Sequence, residues 1–168
     1  MADILYSICP PLKSINMFDQ PLSQGVDSNV FNTEIGKIGA LVCFDSIYEG
    51  LTLDSVRDGA SLMVLSTNDS WYKDSAAVRQ HNGHAVMRAV ENRRCVVRAA
   101  NTGISTVISE NGKILSSLPA LNDGYVVAEI STSTQRTLFS YTGNLIVLLS
   151  AIYIAFMSFR KFLIHVKG

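Results

Sequence analysis

The sequence predicts an α/β layered domain followed by an apolar C-terminal segment. Three observations predict it: short apolar runs alternate with helical segments, a series of further strands follows, and residues 137–159 carry no charge. The 168 residues match the length of one domain. With 14 Lys and Arg against 14 Asp and Glu, the chain has no basic field that would favour nucleic acid as a partner.

The predicted elements run in order along the chain. Residues 1–36 are rich in Asn, Gln, Ser, Pro and Gly, which predicts a loop-rich N-terminal segment. Residues 37–43 predict a buried strand that ends at Cys43, and residues 47–58 predict the first helix. The remaining predictions are a strand over 61–66, a helix from Asp74 or Ser75 to about Arg94, and strands over 95–100, 104–109, 114–118 and 125–130.

The C-terminal segment has the composition of a transmembrane helix. Residues 137–159 are uncharged over about 23 positions, enough for a helix to cross a ~30 Å hydrocarbon core. Arg160, Lys161 and Lys167 follow, and such clusters normally stay cytoplasmic, so residues 160–168 are expected to form a short basic cytoplasmic tail. The alternatives are a buried C-terminal helix and an interfacial anchor.

Cys43 has the setting of a nucleophile. It stands at the carboxyl end of a predicted strand, where working residues collect in open α/β sheets. The helix N-terminus that follows favours the thiolate, and the backbone N–H groups of Phe44 and Asp45 are suited to bind an oxyanion. The alternative for any single cysteine is a small buried apolar residue.

No metal or other cofactor is expected. Cys9, Cys43 and Cys95 are an odd number without Cys-x-x-Cys spacing, which argues against a disulfide framework and a zinc site. His81 and His84 are three residues apart on a predicted helix, but no third ligand accompanies them. Packing or hydrogen bonding is the expected role of both histidines.

An ordered series of motifs resembles those of the apolipoprotein N-acyltransferases, within the nitrilase superfamily. Residues 39–45 (GALVCFD) resemble the nucleophile strand, and residues 66–72 (STNDSWY) resemble the SNDAWF-type loop. The resemblance covers about residues 17–160. Its further motifs are at residues 80–81, 87–94, 97–105 and 141–144.

The resemblance implies an αββα sandwich, with residues 37–136 as its C-terminal half, at the periplasmic face of the bacterial inner membrane. Enzymes of this family take an acyl chain from a phospholipid onto a cysteine as a thioester. They then pass it to the α-amino group of a lipoprotein's N-terminal lipidated cysteine. The match assigns the nucleophile to Cys43, and we expect supporting roles for Phe44 and Asp45 and substrate contacts from Asn68 and Trp71. Ordinary burial is the alternative for Trp71.

The chain also departs from the family pattern. The family's Glu base and its Lys lie N-terminal to the region of resemblance, and Asp45 stands where relatives usually carry Glu. No export signal precedes the domain, so we expect the protein's beginning to be missing and the chain to be inactive alone. The alternatives are an amidase or nitrilase acting on small C–N substrates, and a non-catalytic membrane-anchored remnant.

Overall fold

A six-stranded mixed sheet forms the centre of the fold. The computed structural model describes residues 29–73 and 75–167. β2, β3 and β4 are parallel, whereas the pairs β1–β2, β4–β5 and β5–β6 are antiparallel. The strands lie in the sheet in chain order and are β1 (Val30–Thr33), β2 (Gly36–Val42), β3 (Leu62–Asn68), β4 (Val96–Asn101), β5 (Ser105–Ile108) and β6 (Ile114–Leu118).

Two helices connect the parallel strands. α1 (Glu49–Arg57) lies between β2 and β3, and α2 (Ala76–Asn92) lies between β3 and β4. Because parallel neighbours need such crossovers, the carboxyl ends of β2, β3 and β4 meet at one edge of the sheet, which we call the carboxyl edge. In open α/β sheets this edge is where ligands bind.

The hydrophobic core lies between these two helices and one face of the sheet. On α2, Ala85 and Ala89 lie one turn apart, so their small side chains let the helix approach the sheet closely. On the opposite face, Val42, Ser66 and Ala99 are exposed. The predicted α/β layering is confirmed, with a core made of Leu41, Val56, Ala60, Met63, Leu65, Ala85, Ala89, Val96 and Ile108.

The C-terminal segment differs from its prediction. Instead of one helix over 137–159, the chain forms α3 (Leu138–Thr142) and α4 (Leu145–Lys167), separated at Gly143, whose φ is 53°. The uncharged part of α4, residues 145–159, rises about 22 Å at ~1.5 Å per residue, less than a ~30 Å hydrocarbon core. Within the described part of the chain, no helix is long and apolar enough to cross a membrane. The predicted single helix over 137–159 is therefore replaced by a five-residue helix and a 23-residue helix that begins at Leu145 and includes Arg160 and Lys161.

Two neighbouring predictions also change. Residues 160–167 continue α4 and do not form a separate tail. Residues 125–130 form no strand, and Tyr125 and Val127 are 88% and 76% exposed. An apolar alternation becomes a strand only where a neighbouring strand supplies backbone partners, and these residues pair with none of the described strands.

The N-terminal segment contains a strand that the sequence did not indicate. β1 lies within the predicted loop over residues 1–36 and pairs with β2, with Val30 opposite Gly39 and Thr33 opposite Gly36. The loop prediction for residues 1–28, including Cys9, lies outside the described residues. The hairpin of β1 and β2 leads the chain directly to Cys43.

Candidate active site

Cys43 directly follows β2, as predicted, and begins a short 3₁₀ helix, Cys43–Ile47, which we call the Cys43 turn. The turn lies at the carboxyl edge, and Cys43 is half-buried. Its φ is 52°, in the left-handed region that residues with a Cβ rarely adopt. Such a conformation costs about 1–3 kcal/mol and persists only where the surrounding structure holds it.

Hydrogen bonds within the Cys43 turn account for part of that support. The N–H of Val42 donates to Asp45 Oδ2 at 3.1 Å, and the hydroxyl of Ser46 donates to the carbonyl oxygen of Cys43 at 2.9 Å. The N–H of Tyr48 donates to the carbonyl oxygen of Asp45 at 3.2 Å. Asp45 therefore acts on the backbone of its own turn, which explains why an acid follows two residues after the cysteine.

His81 joins the Cys43 turn to the helix layer. It lies on the buried face of α2 and is 4% exposed. Its Nε2 is 3.3 Å from the hydroxyl of Ser46 and 3.3 Å from the carbonyl oxygen of Cys43. Its Nδ1 is 2.9 Å from Asp69 Oδ1. The imidazole thus bridges the Cys43 turn and a carboxylate that follows β3.

Asp69 is the centre of a buried polar cluster, and it is 1% exposed. Arg98 of β4 forms an ion pair with it, with Nη2 2.7 Å from Oδ2 and 3.2 Å from His81 Nδ1. The hydroxyl of Thr67 also donates to Asp69 Oδ1 at 3.1 Å. Burial lowers the pKa of the Arg98 guanidinium, while the charge of Asp69 acts in the opposite direction. We call His81, Asp69 and Arg98 the His–Asp–Arg cluster.

Close approach of the backbone completes this cluster. Gly103 follows β4, and a Cβ built on it would lie 2.1 Å from Asp69 Oδ2 and 2.7 Å from Asp69 Cγ. Contacts this short are not seen between real atoms, so only glycine fits beside Asp69 without a shift. The loop after β4 therefore closes over the carboxylate and keeps it from water.

Aromatic rings pack beside the Cys43 turn. The ring of Phe44, which is 50% exposed, stacks on the imidazole of His81 with centroids 5.5 Å apart. Tyr72 contacts both rings edge-on, each at 6.3 Å between centroids. Burial raises the pKa of the Tyr72 hydroxyl, and the charges of Cys43 and Asp69 act in the same direction. The Cys43 turn thus has an apolar, aromatic flank.

Of the two predicted substrate-contact residues, Asn68 is the last residue of β3 and Trp71 lies on the segment that follows it. Asn68 Oδ1 accepts from the N–H of Ser70 at 3.1 Å and from Asn101 Nδ2 at 3.2 Å. Trp71 lies in the 3₁₀ helix Ser70–Tyr72 and is 77% exposed, so its predicted alternative of ordinary burial is wrong. The structure brings Phe44 and Asp45 into the Cys43 turn, whereas Asn68 and Trp71 lie one strand away along the carboxyl edge.

Sequence reasoning did not identify Asp69 and Arg98 as parts of the site. Arg98 is flanked in β4 by the apolar residues Val97 and Ala99, and His81 stands four residues before Ala85 on the buried face of α2, so each is a polar residue at a core position. That pattern was the available signal. Among the described residues, no group of three His, Cys, Asp or Glu side chains is arranged to hold a metal ion.

The chain is similar in sequence to proteins of known families. A model of the carbon-nitrogen hydrolase family matches residues 8–138. The apolipoprotein N-acyltransferase of Geobacter metallireducens is 36% identical over 146 residues, covering 85% of this chain and 28% of that protein. The apolipoprotein N-acyltransferase of Haemophilus ducreyi is 37% identical over 131 residues, covering 77% and 26%. The chain thus spans little more than a quarter of the length of these curated relatives.

Solved structures share the fold. Nit3 of Saccharomyces cerevisiae, a member of branch 10 of the nitrilase superfamily, has a TM-score of 0.51 and 26% identity, covering 59% of this chain and 39% of that one. The carbon-nitrogen hydrolase of Helicobacter pylori also has a TM-score of 0.51, at 16% identity, covering 58% and 41%. The mixed sheet with α1 and α2 on one face is therefore a nitrilase-like α/β arrangement.

Proposed function

The chain belongs to the carbon-nitrogen hydrolase family, and from this premise we propose that it is the acyl-carrying part of an apolipoprotein N-acyltransferase. The observation that carries the proposal is Cys43, held at a positive φ in a turn at the carboxyl edge. Residues kept in sparsely populated backbone conformations cluster at active sites. The similarity to two bacterial enzymes of that name supports the choice of reaction.

In the first proposed step, the sulfur of Cys43 attacks the ester carbonyl carbon of a phospholipid. A C–S bond forms, the ester C–O bond breaks, and the thiol proton goes to the departing alcohol of the lysophospholipid. Backbone N–H groups at Phe44 and Asp45 hold the oxyanion that develops on the carbonyl oxygen. The product is an acyl thioester on Cys43, which stores the acyl group in a reactive form.

In the second proposed step, the N-terminal amine of a diacylglyceryl-cysteine lipoprotein attacks the thioester. A C–N bond forms, the C–S bond breaks, and the proton lost by the amine returns to the sulfur of Cys43. A thioester suits this transfer because it reacts readily with amines. The reaction needs no metal or nucleotide, and Cys43 ends in its starting state.

The neighbouring side chains fit supporting roles in this scheme. Asp45 fixes the turn through its bond to the N–H of Val42. Phe44 and Trp71 are 50% and 77% exposed, and we propose that they contact the acyl chain, since aromatic surfaces bind apolar chains by burial. Asn68 orients the loop after β3 through its bonds to Ser70 and Asn101.

We also propose that the 168-residue chain is nearly inactive by itself, so that it transfers acyl groups only slowly. A positioned base contributes about 10²–10⁴-fold to such reactions. Within the described residues, Ser46 and His81 contact the carbonyl oxygen of Cys43, and no side chain forms a hydrogen bond with its sulfur. The Glu and Lys that the family supplies have no counterpart among the matched motifs.

The reaction is proposed to take place at the periplasmic face of the bacterial inner membrane. A phospholipid donor requires that the site meet a lipid surface. α4 supports contact with lipid, because its apolar side chains are exposed, among them Ile146 at 72%, Ile154 at 64% and Phe159 at 61%. Such a helix binds lipid by burying its apolar surface in the interface.

The test is acyl transfer to Cys43 from a phospholipid that carries a labelled acyl chain. The chain in detergent is expected to gain a label that hydroxylamine releases and that mass spectrometry locates on the Cys43 peptide. Addition of a diacylated lipopeptide should move the label to the peptide amine. Cys43→Ser should abolish the label, whereas Cys95→Ser, the matched control, should retain it.

Other outcomes assign a different function. Release of ammonia from short amides, without labelling by phospholipid, would favour a small-molecule amidase, which is the second candidate because the carbon-nitrogen hydrolase family model matches residues 8–138. A label that persists in Cys43→Ser would refute the acyl-carrier proposal. Identical behaviour of Cys43→Ser and the unmodified chain in every assay would favour a non-catalytic remnant.

A further inference from the structure

We propose that His81, oriented by Asp69, is a positioning residue that holds the Cys43 turn in its reactive geometry. The inference rests on the proposed role of Cys43 as nucleophile and adds a second residue on which its reactivity depends. His81 acts through the main chain of the turn, since its Nε2 contacts the carbonyl oxygen of Cys43 and the hydroxyl of Ser46.

The first argument is the strain of the turn. A cysteine at a φ of 52° relaxes toward a common conformation unless its neighbours prevent this. Rotation of the peptide that follows Cys43 would carry its carbonyl oxygen away from both Ser46, at 2.9 Å, and His81, at 3.3 Å. These two contacts therefore oppose the rotation that would turn the thiol away from the site.

The second argument is the fixed orientation of the imidazole. A carboxylate and a carbonyl oxygen only accept hydrogen bonds, so each ring nitrogen of His81 can bond here only by donating, Nδ1 to Asp69 Oδ1 at 2.9 Å and Nε2 to the carbonyl oxygen of Cys43 at 3.3 Å. Arg98 and Thr67 hold that carboxylate in turn, at 2.7 Å and 3.1 Å. Nε2 consequently faces the Cys43 turn, as second-layer carboxylates orient histidines in other sites.

The third argument is the burial of the His–Asp–Arg cluster. His81, Asp69 and Arg98 are 4%, 1% and 1% exposed. Apolar residues of similar volume often serve stability as well as or better than a buried ion pair, because removing charges from water is costly. A charged cluster placed directly beneath the Cys43 turn is thus better explained by positioning than by stability. Because Phe44 stacks on the imidazole, the orientation of His81 also helps to position the aromatic flank.

Two amide substitutions separate positioning from simple packing. The amide nitrogen of His81→Asn takes the place of Nδ1 and keeps the bond to Asp69 but cannot reach the Cys43 turn. The amide nitrogen of His81→Gln takes the place of Nε2 and can still donate to the carbonyl oxygen of Cys43. Positioning through the turn therefore predicts different outcomes for two variants of similar polarity.

The measurement is the rate of alkylation by iodoacetamide in the full chain, followed separately at Cys43 and Cys95 by peptide mass spectrometry. We expect His81→Asn to slow Cys43 about tenfold or more, and His81→Gln to stay within about threefold of the unmodified chain, because small misplacements of reacting groups have effects of this size. His84→Gln, on the same helix but outside the cluster, should leave the rate unchanged. Cys95 is 1% exposed and reports unfolding.

Equal rates at Cys43 in His81→Asn and His81→Gln, whether both slow or both unchanged, would overturn the proposal. Faster alkylation of Cys95 in a variant would show that the variant unfolds. In that case Ser46→Ala, which removes only one hydroxyl from the turn, decides: the proposal expects a severalfold slower Cys43, and an unchanged rate refutes it. No acyl substrate is involved, so failure here leaves the acyl-transfer assay untouched, and the reverse also holds.

Discussion

Two cysteines at opposite ends of the parallel strands show how position in the sheet sets the chemistry of a thiol. Cys43 follows β2 at the carboxyl edge, is half-buried and has a positive φ. Cys95 precedes β4 at the amino end and is 1% exposed, with its sulfur 3.4 Å from Glu110 Oε2. Burial, aided by the hydrogen bond to Glu110, raises the pKa of the Cys95 thiol.

The difference follows from what surrounds each end of a strand. At the carboxyl edge, the chain turns into short helices, and polar side chains from β3, β4 and α2 converge below Cys43. At the amino end, Cys95 is held inside the ladder, where its carbonyl oxygen accepts from the N–H of Met63 at 3.0 Å. A thiol there behaves as a small apolar residue. The reaction is therefore expected at Cys43.

The largest expected effect is the difference in alkylation rate between the thiols of Cys43 and Cys95. In the folded chain at pH 8, we expect Cys43 to be alkylated roughly 100-fold or more faster than Cys95, because reaction at a buried thiol waits for local or global opening. Mass spectrometry of the two peptides over time gives both rates. In urea sufficient to unfold the chain, the rates should converge. Comparable rates in the folded chain would contradict the assignment of Cys95 to the core.

The next largest effect is expected from a substitution that crowds Asp69, the carboxylate beneath the Cys43 turn. Gly103→Ala would place a Cβ 2.1 Å from Asp69 Oδ2, so Asp69 must move, and we expect a loss of about 1–3 kcal/mol in the free energy of unfolding. Urea titration followed by circular dichroism measures it. Gly83→Ala is the control, because a Cβ there meets nothing within 4 Å and α2 should gain up to about 1 kcal/mol. Equal stabilities of the two variants would rule out the close fit of Gly103.

The smallest expected effect is a pH dependence of the free energy of unfolding that comes from the Cys95 thiol. Because burial raises the pKa of this thiol above its ordinary value of 9.0, the unfolded chain loses the proton first as pH rises. The contribution of the Cys95 thiol to the free energy of unfolding is thus complete below about pH 9. This contribution declines as the pH rises from there through the raised pKa, by at most about 1.4 kcal/mol per pH unit. The unfolding free energy of the unmodified chain relative to Cys95→Ser should fall between pH 8 and pH 10.5. A difference that stays constant would show that the Cys95 thiol does not titrate differently on folding.

Much of the fold was predictable because local patterns specify it. The apolar run before Cys43 and the runs after residue 60 became β2 and β3, and the periodic segment after Ser75 became α2. The predictions failed where pairing with another strand, or the conformation of a single glycine, determines the structure. β1 forms because β2 supplies backbone hydrogen-bond partners for it, and the C-terminal helix is interrupted because Gly143 adopts a positive φ.

The candidate site divides in the same way. Motif order and the end of a predicted strand were enough to select Cys43, and the following acid proved to bind the backbone of its own turn. The roles of Phe44, Asn68 and Trp71 in binding substrate stay predictions, which the labelling assay with variants at these positions can test.

By itself, the sequence determined the order of helices and strands, the family, and the place of Cys43 after β2, because these follow from short-range periodicity and from motifs read along the chain. Only the tertiary structure decided that His81, Asp69 and Arg98 form one buried cluster under that residue. His81 and Arg98 are 17 positions apart, and Cys43 is 38 positions from His81. A local pattern tells which side of an element is buried, but strand order and helix packing determine which buried groups meet.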